Sequence, residues 1–214
     1  SKEILAKYRP DLKDYVTTNS KGTTGDGIAL VEKLGGQIID MDKVQIHPTV
    51  NQEKGILIGE AVRGEGAILV DDEGNRFVNE MDTRDKVSAA INALPKKRAY
   101  LIFDQGVRSR ATAIEFYAKQ GYVKEGKTVA DLAKTIKVPK ANLEKAVANW
   151  NKAVESKQDS EFNRTTAMEH TLSTPNYYAI QIAPGVHYSM GGVKINTNTE
   201  VLNKDNQPIK GLYV

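Results

Sequence analysis

Hydrophobic positions recur along this chain with two different periods, near 3.6 and near 2, and the alternation between them predicts a protein of mixed helices and strands. Gly25-Asp26-Gly27 opens an amphipathic helix that runs through Leu34 and stops at Gly35-Gly36, after which Gln37 to Met41 reads as a short strand. Ala67 to Val70 and Arg76 to Val78 flank Asp71-Asp72-Glu73-Gly74-Asn75, a turn-forming run that predicts a hairpin. Asp82 or Thr83 caps a helix reaching about Leu94, where Pro95 ends it, and Ala99 to Phe103 is a strand. Three helices follow: Gly106 to Gln120, a second capped by Thr128 and running through Ile136, and a third with Pro139 near its first turn. In that third helix Leu143, Val147, Trp150 and Val154 recur at helical spacing. Glu155 to Thr174 is polar and predicted to be irregular; Tyr177 to Ile182, Gly192 to Asn196 and the C-terminal run return to strands. Lys2 to Leu12 reads as the tail of a helical segment interrupted by Pro10, with no helix start before it. Ile209-Lys210-Gly211-Leu212-Tyr213-Val214 reads as an apolar strand with no turn after it. The two ends together predict a fragment of a longer chain.

Composition narrows the class. At 214 residues and 40% hydrophobic the chain can bury a core in one or two domains. Its net charge of +3 comes from 30 basic and 27 acidic side chains that are well mixed, so no face is built for nucleic acid and small anions are the expected partners. The absence of cysteine excludes disulfides, thiolate metal sites and cysteine nucleophiles, and no metal site is expected. No segment approaches a membrane span, and the compartment is left open.

The chemistry concentrates between His47-Pro48-Thr49 and Asn79-Glu80-Met81-Asp82-Thr83-Arg84-Asp85, with Gly59-Glu60-Ala61-Val62-Arg63-Gly64 between them. An imidazole, carboxylates and guanidiniums interleaved with glycines suit an anion-handling, proton-moving site. In a helical stretch Glu60 and Arg63 share a face at i and i+3. Each residue taken singly has a plainer reading: His47 as a turn histidine, His187 as a packed strand residue, His170 as a solvated one. Glu60 with Arg63 would be a surface ion pair, Arg84-Asp85 a helix start, and Gly191-Gly192 a turn. Their joint order favours the site.

Thr17-Thr18-Asn19-Ser20-Lys21-Gly22-Thr23-Thr24-Gly25-Asp26-Gly27, His47-Pro48-Thr49, Glu60-Ala61-Val62-Arg63-Gly64, Gly74-Asn75-Arg76-Phe77-Val78-Asn79-Glu80, Thr83-Arg84-Asp85 and His187-Tyr188-Ser189-Met190-Gly191-Gly192 follow one another along the chain. In that order they resemble the soluble flavocytochrome-type fumarate reductases and their relatives, FAD-dependent reductases of α,β-unsaturated carboxylates within the succinate dehydrogenase and fumarate reductase flavoprotein superfamily. The resemblance implies an α+β fold in which a clamp, or capping, domain at 42–186 interrupts pieces of an FAD-binding Rossmann-like domain at 1–41 and 187–214. It assigns FAD contacts to Thr24, Gly25, Asp26, Gly191 and Gly192. No Gly-x-Gly-x-x-Gly is present in the sequence.

Reducing a carbon–carbon double bond beside a carboxylate needs a hydride donor, cations that make the carbonyl side electron-poor, and an acid for the adjacent carbon. By resemblance His47 and His187 grip the substrate carboxylate, Arg84 delivers the proton, and Glu60 with Arg63 replaces it from solvent. Fumarate-specific members carry a threonine before the relay glutamate; Gly59 stands here, so the substrate is fumarate, urocanate, an acrylate or a bulkier unsaturated acid. The implied partners are the remaining halves of the FAD domain and an electron-donor domain or protein, without which the chain is expected to be catalytically silent. A ketosteroid-dehydrogenase-type flavoprotein, which would need catalytic tyrosines in an apolar pocket, and a non-catalytic module binding organic acids are the alternatives.

Overall fold

The computed structural model describes all 214 residues, Ser1 to Val214. In chain order the elements are α1 (Lys2–Tyr8), α2 (Asp26–Lys33), β1 (Ile38–Ile39), β2 (Val44–Val50), α3 (Ala61–Gly64), β3 (Ile68–Val70), α4 (Arg84–Ala93) and β4 (Ala99–Asp104). There follow α5 (Gln105–Arg110), α6 (Ile114–Lys119), β5 (Val123–Gly126), α7 (Val129–Ile136), α8 (Lys140–Ser156), β6 (Tyr177–Ser189), β7 (Gly192–Val193), β8 (Glu200–Leu202) and β9 (Pro208–Tyr213). The chain divides into a flanking unit, Ser1–Ile46 with Val186–Val214, and a central unit, His47–Gly185.

The central unit is built on a sheet of order β2-β6-β4-β3, with β5 also paired to β6. The register is antiparallel, Leu69 opposite Leu101 and Leu101 opposite Ile180, so three successive strands present aliphatic side chains at one level. Every residue of β3 and β4 is buried, which their unbroken apolar runs Ile-Leu-Val and Ala-Tyr-Leu-Ile-Phe require. Pro48 lies in β2, at one end of that strand order, where a missing N–H is tolerated. α8 buries Leu143, Val147, Trp150 and Val154, the positions its periodicity picks out, and packs against α7. Thr128 caps α7 as expected, its Oγ1 accepting from the Asp131 N–H at 3.1 Å.

In the flanking unit α2 begins at Gly25, whose φ of +86° suits the residue, and ends before Gly35-Gly36. β1 pairs with β7, and β8 with β9. Ser1 supplies the helix start that the sequence reading lacked, its Oγ accepting from the Ile4 N–H at 3.3 Å.

Three further expectations are corrected, and a fourth holds with an addition. Arg76 to Val78 forms no strand, only a single bridge from Arg76 to Val70, because Arg76 is drawn into a buried ion cluster. Gly106 to Gln120 is two helices, α5 and α6, since sinking Val107, Ala111 and Ile114 into the core bends the chain at Ala111. β6 runs well past Ile182, β7 is only Gly192–Val193 where a strand to Asn196 was expected because the chain turns back through Asn196 to pair with Glu200, and β2, β5 and β8 were not anticipated. The polar tract 155–174 is irregular after α8, yet it buries Asp159, Arg164, Met168 and Leu172.

Candidate functional site

The central unit holds five of the predicted residues, His47, Gly59, Glu60, Arg63 and Arg84. His47 is 1% exposed on β2, where the Thr49 N–H donates to its Nδ1 at 3.3 Å. Thr49 also donates from Oγ1 to the Ile58 carbonyl at 2.6 Å and accepts from the Ile58 N–H at its own carbonyl, so β2 holds the segment that leads to Glu60. Gly59 is fixed by its N–H, which donates to Tyr117 Oη at 3.1 Å. A Cβ at this glycine would meet only that hydroxyl, at 3.7 Å, so the space beside it is open.

Glu60 immediately precedes α3, and Arg63 lies on the same helical face. Their closest approach is 3.6 Å, Arg63 Nη2 to Glu60 Oε1. Arg84, the first residue of α4, grips the same carboxylate as a fork, with Nε donating to Oε1 at 2.9 Å and Nη2 to Oε2 at 3.1 Å. One carboxylate therefore serves two guanidiniums that differ in setting. The Glu60 side chain is 47% exposed and Arg84 partly so, whereas the Arg63 side chain is 2% exposed.

These surroundings shift the protonation equilibria. The hydrogen bonds from Arg84 hold the Glu60 carboxyl below the usual range against the opposing effect of burial, helped by the charges of Arg84, Arg63 and His47. Burial pushes the Arg63 guanidinium down to about 10, with the neighbouring Arg84 and Arg164 acting in the same direction and Glu60 and Glu80 against it. Arg63 Nη1 donates to the Glu80 carbonyl at 2.7 Å, while Nε and Nη2 have no hydrogen-bond partner within the protein. Buried donors of that kind call for water or ligand atoms.

The remaining predicted residues lie in the flanking unit. Thr18 Oγ1 is 2.7 Å from His187 Nδ1, the His187 carbonyl accepts from Asn19 Nδ2 at 3.0 Å, and the imidazole lies 4.0 Å from the Tyr188 ring centre. Thr24 borders a cavity of about 400 Å³ together with Thr17, Asn19, Ser20, Thr23 and His187. Gly25 and Asp26 open α2 beside Thr24. Ile4, Leu5, Met41, Val44 and Val186 line it too, so the cavity pairs an apolar wall with hydroxyl and amide groups, a lining that suits a dinucleotide such as FAD, which has both apolar rings and polar groups. Gly191 has a backbone reason to be glycine, since a Cβ there would run into the Asp40 carbonyl; at Gly192 the corresponding space is open.

Sequence reasoning missed the layer beneath Arg63. Glu80, fully buried, accepts from Arg76 Nε at 2.8 Å and Nη2 at 2.9 Å and from Arg164 Nη1 at 3.1 Å. Asp159 accepts from Arg76 at 3.2 and 3.0 Å, and the Trp150 ring lies against both guanidiniums, 4.8 Å from Arg76 and 4.3 Å from Arg164. Arg76 and Glu80 were visible as parts of one motif, but nothing in the polar tract marked Arg164 as buried.

Comparison with known proteins places this geometry in context. The profile of a family described as "FAD binding domain" matches residues 2–214. An NADH:fumarate oxidoreductase of Klebsiella pneumoniae is 50% identical over 210 residues, covering 98% of this chain and 23% of that protein. A fumarate reductase (cytochrome) of Shewanella frigidimarina is 45% identical over 211 residues, covering 99% of this chain and 37% of its own length. Among solved structures, the open conformation of a flavocytochrome c3 fumarate reductase superposes with a TM-score of 0.79 at 42% identity, over 99% of this chain and 37% of that one. The chain thus spans about a quarter to somewhat over a third of the proteins it matches here.

Proposed function

The chain belongs to the FAD binding domain family, and from that premise we propose that it carries the substrate-side machinery of an FAD-dependent reductase of α,β-unsaturated carboxylates. The observation that carries the reading is the shared carboxylate: Glu60 held by both oxygens in the fork of Arg84, with Arg63 Nη2 3.6 Å behind it. Fumarate reductase activity in the two curated relatives supports the reaction class.

In this account residues 42–186 are the substrate clamp and 1–41 with 187–214 are parts of the FAD domain, where Thr24, Gly25, Asp26, Gly191 and Gly192 hold the cofactor. Bound FAD, once reduced, supplies hydride. The histidines assigned to orient the substrate carboxylate and draw electron density from the double bond are His47 and His187. Arg84 gives its proton to the carbon adjacent to the one that receives hydride, so the C=C bond becomes two C–H bonds. A guanidinium is ordinarily too weak an acid for this task. Glu60, ionised at rest, resolves the difficulty by taking a proton from Arg63 and passing it to Arg84 as Arg84 gives one up, and solvent then returns a proton to Arg63. Burial of Arg63, which brings its proton affinity down to about 10, makes its transfer to Glu60 easier. Gly59 leaves room above the carboxylate site for a substrate larger than fumarate or for a bound water.

The test is anaerobic reoxidation of the complete, reduced holoenzyme by fumarate, urocanate and acrylate in turn. The proposal expects at least one acid to reoxidise it and the product formed in D2O to carry deuterium on both former alkene carbons, since the hydrogen that a reduced flavin transfers exchanges with solvent. Binding of the acids with no reoxidation would instead identify an organic-acid-binding module. Turnover of a 3-ketosteroid alone would identify the steroid-type alternative.

A further inference from the structure

We propose that Arg164, locked in place by Glu80, is the positioning residue of Arg63, setting its guanidinium on Glu60 without touching substrate or cofactor. The inference rests on the relay reading above. α3 is four residues long, too short to hold its own orientation, and the Arg63 side chain makes a single hydrogen bond, to the Glu80 carbonyl. The aim of Arg63 is therefore set by two backbone points, its own and that of Glu80.

Arg164 ties both together. Its Nη2 donates to the Arg63 carbonyl at 3.0 Å, and its Nη1 donates to the Ala67 carbonyl at 2.9 Å and to Glu80 Oε2 at 3.1 Å. The remaining donors go to the Ala167 carbonyl at 2.8 Å and, from Nε, to the Thr166 carbonyl at 3.0 Å. A guanidinium has five N–H donors in a rigid fork, and all five are used. Glu80 Oε1 meanwhile accepts from the Leu69 N–H at 3.3 Å, so the stretch from Arg63 to β3 is clipped at its start, middle and end. Arg76 and Asp159 complete the cluster from the far side with no side-chain hydrogen bond to that stretch, Asp159 also accepting from the Arg164 N–H at 3.2 Å through an oxygen that asparagine can replace. Lysine cannot reproduce the fork, because its ammonium is a point donor on a flexible stem.

The charges give the pair a second signature. The ionised groups that act on Arg63 are Glu60, Arg84, Glu80 and Arg164, and the last two work in opposite senses: Glu80 holds the Arg63 proton and Arg164 repels it. Removing one charge at a time should move the alkaline limb of turnover in opposite directions, whereas loss of a purely structural brace would not.

The test compares Arg164→Lys, Arg164→Gln, Glu80→Gln, Asp159→Asn and Arg63→Lys in the complete FAD-loaded enzyme, with thermal melts to confirm folding. Arg164→Lys is expected to lower kcat about 10- to 100-fold with KM changed less than about twofold, since a misplacement of about 1 Å is enough for such a loss. Asp159→Asn is expected to lower the melting temperature yet leave kcat unchanged. Arg164→Gln should raise the alkaline limb and Glu80→Gln lower it, and this opposition carries the test if Arg164→Lys does not fold. Wild-type kcat in folded Arg164→Lys, or limbs that move together, would overturn the proposal. If Arg63→Lys also kept full turnover, the relay reading itself would fall; if Arg63→Lys alone lost turnover, only the positioning role would.

Discussion

Glu60→Gln separates catalysis from stability at the residue on which the proposed proton path turns. The substitution keeps the shape of the side chain and removes the charge that two guanidiniums share. Its effect on folding is small. The Glu60 side chain is 47% exposed, and solvent screens a pair of that kind to about 0.2–1 kcal/mol despite the 2.9 and 3.1 Å hydrogen bonds from Arg84. The sign with pH follows from the depressed folded-state pKa. The contribution is fully present above the unfolded carboxyl value of about 4.3 and is lost as pH falls through the lower folded value. Urea unfolding at pH 7 should therefore show a loss of about 1 kcal/mol or less, and the difference from wild type should shrink as pH falls below the unfolded carboxyl value. Turnover should fall about 10²- to 10⁴-fold, or about 3–5 kcal/mol of barrier, because a glutamine can neither accept nor pass the proton. Steady-state rates of the complete holoenzyme with the acid it reduces provide the assay. Turnover within about twofold of wild type would refute the relay, and a loss of several kcal/mol in stability would refute the screening argument.

Two other outcomes follow from local geometry. Gly59→Thr should fold with a change of less than about 1 kcal/mol, since the new Cβ meets only Tyr117 Oη at 3.7 Å; its hydroxyl should favour fumarate over bulkier acids, read as the ratio of kcat/KM values for fumarate and urocanate. Thr128→Ala removes the acceptor of the 3.1 Å cap on α7 and should destabilise by about 1 kcal/mol in urea unfolding with no effect on turnover.

How far the sequence carried the account depends on which physical force decides each element. α8 was legible because the helical period of Leu143, Val147, Trp150 and Val154 is enforced by burial of one face, and α7 because Thr128 caps it locally. The proposed site residues were legible from motif order, and Glu60, Arg63 and Arg84 do meet in space. Long-range contacts were not legible. β5 is a strand because β6 is there to pair with it, since Lys124 and Glu125 have no apolar signal of their own. The split between α5 and α6 comes from packing of Val107, Ala111 and Ile114 rather than from a helix breaker. Arg76 left its predicted strand for Glu80 and Asp159, partners 4 and 83 residues away. Arg164 looked like one charge in a solvated tract, and only the folded chain supplies the carbonyls that bury it.

Arg84→Ala in the complete, reduced flavoprotein tests the central claim most directly. Arg84 is 26% exposed at the side chain and its partner Glu60 is half exposed, so the variant should fold and bind FAD and the unsaturated acid much as wild type does. The account predicts that single-turnover reoxidation by the acid slows by at least about 10²-fold while acid affinity is largely retained. Reoxidation at close to the wild-type rate, with the saturated acid as product, would show that another group supplies the proton and would contradict the account.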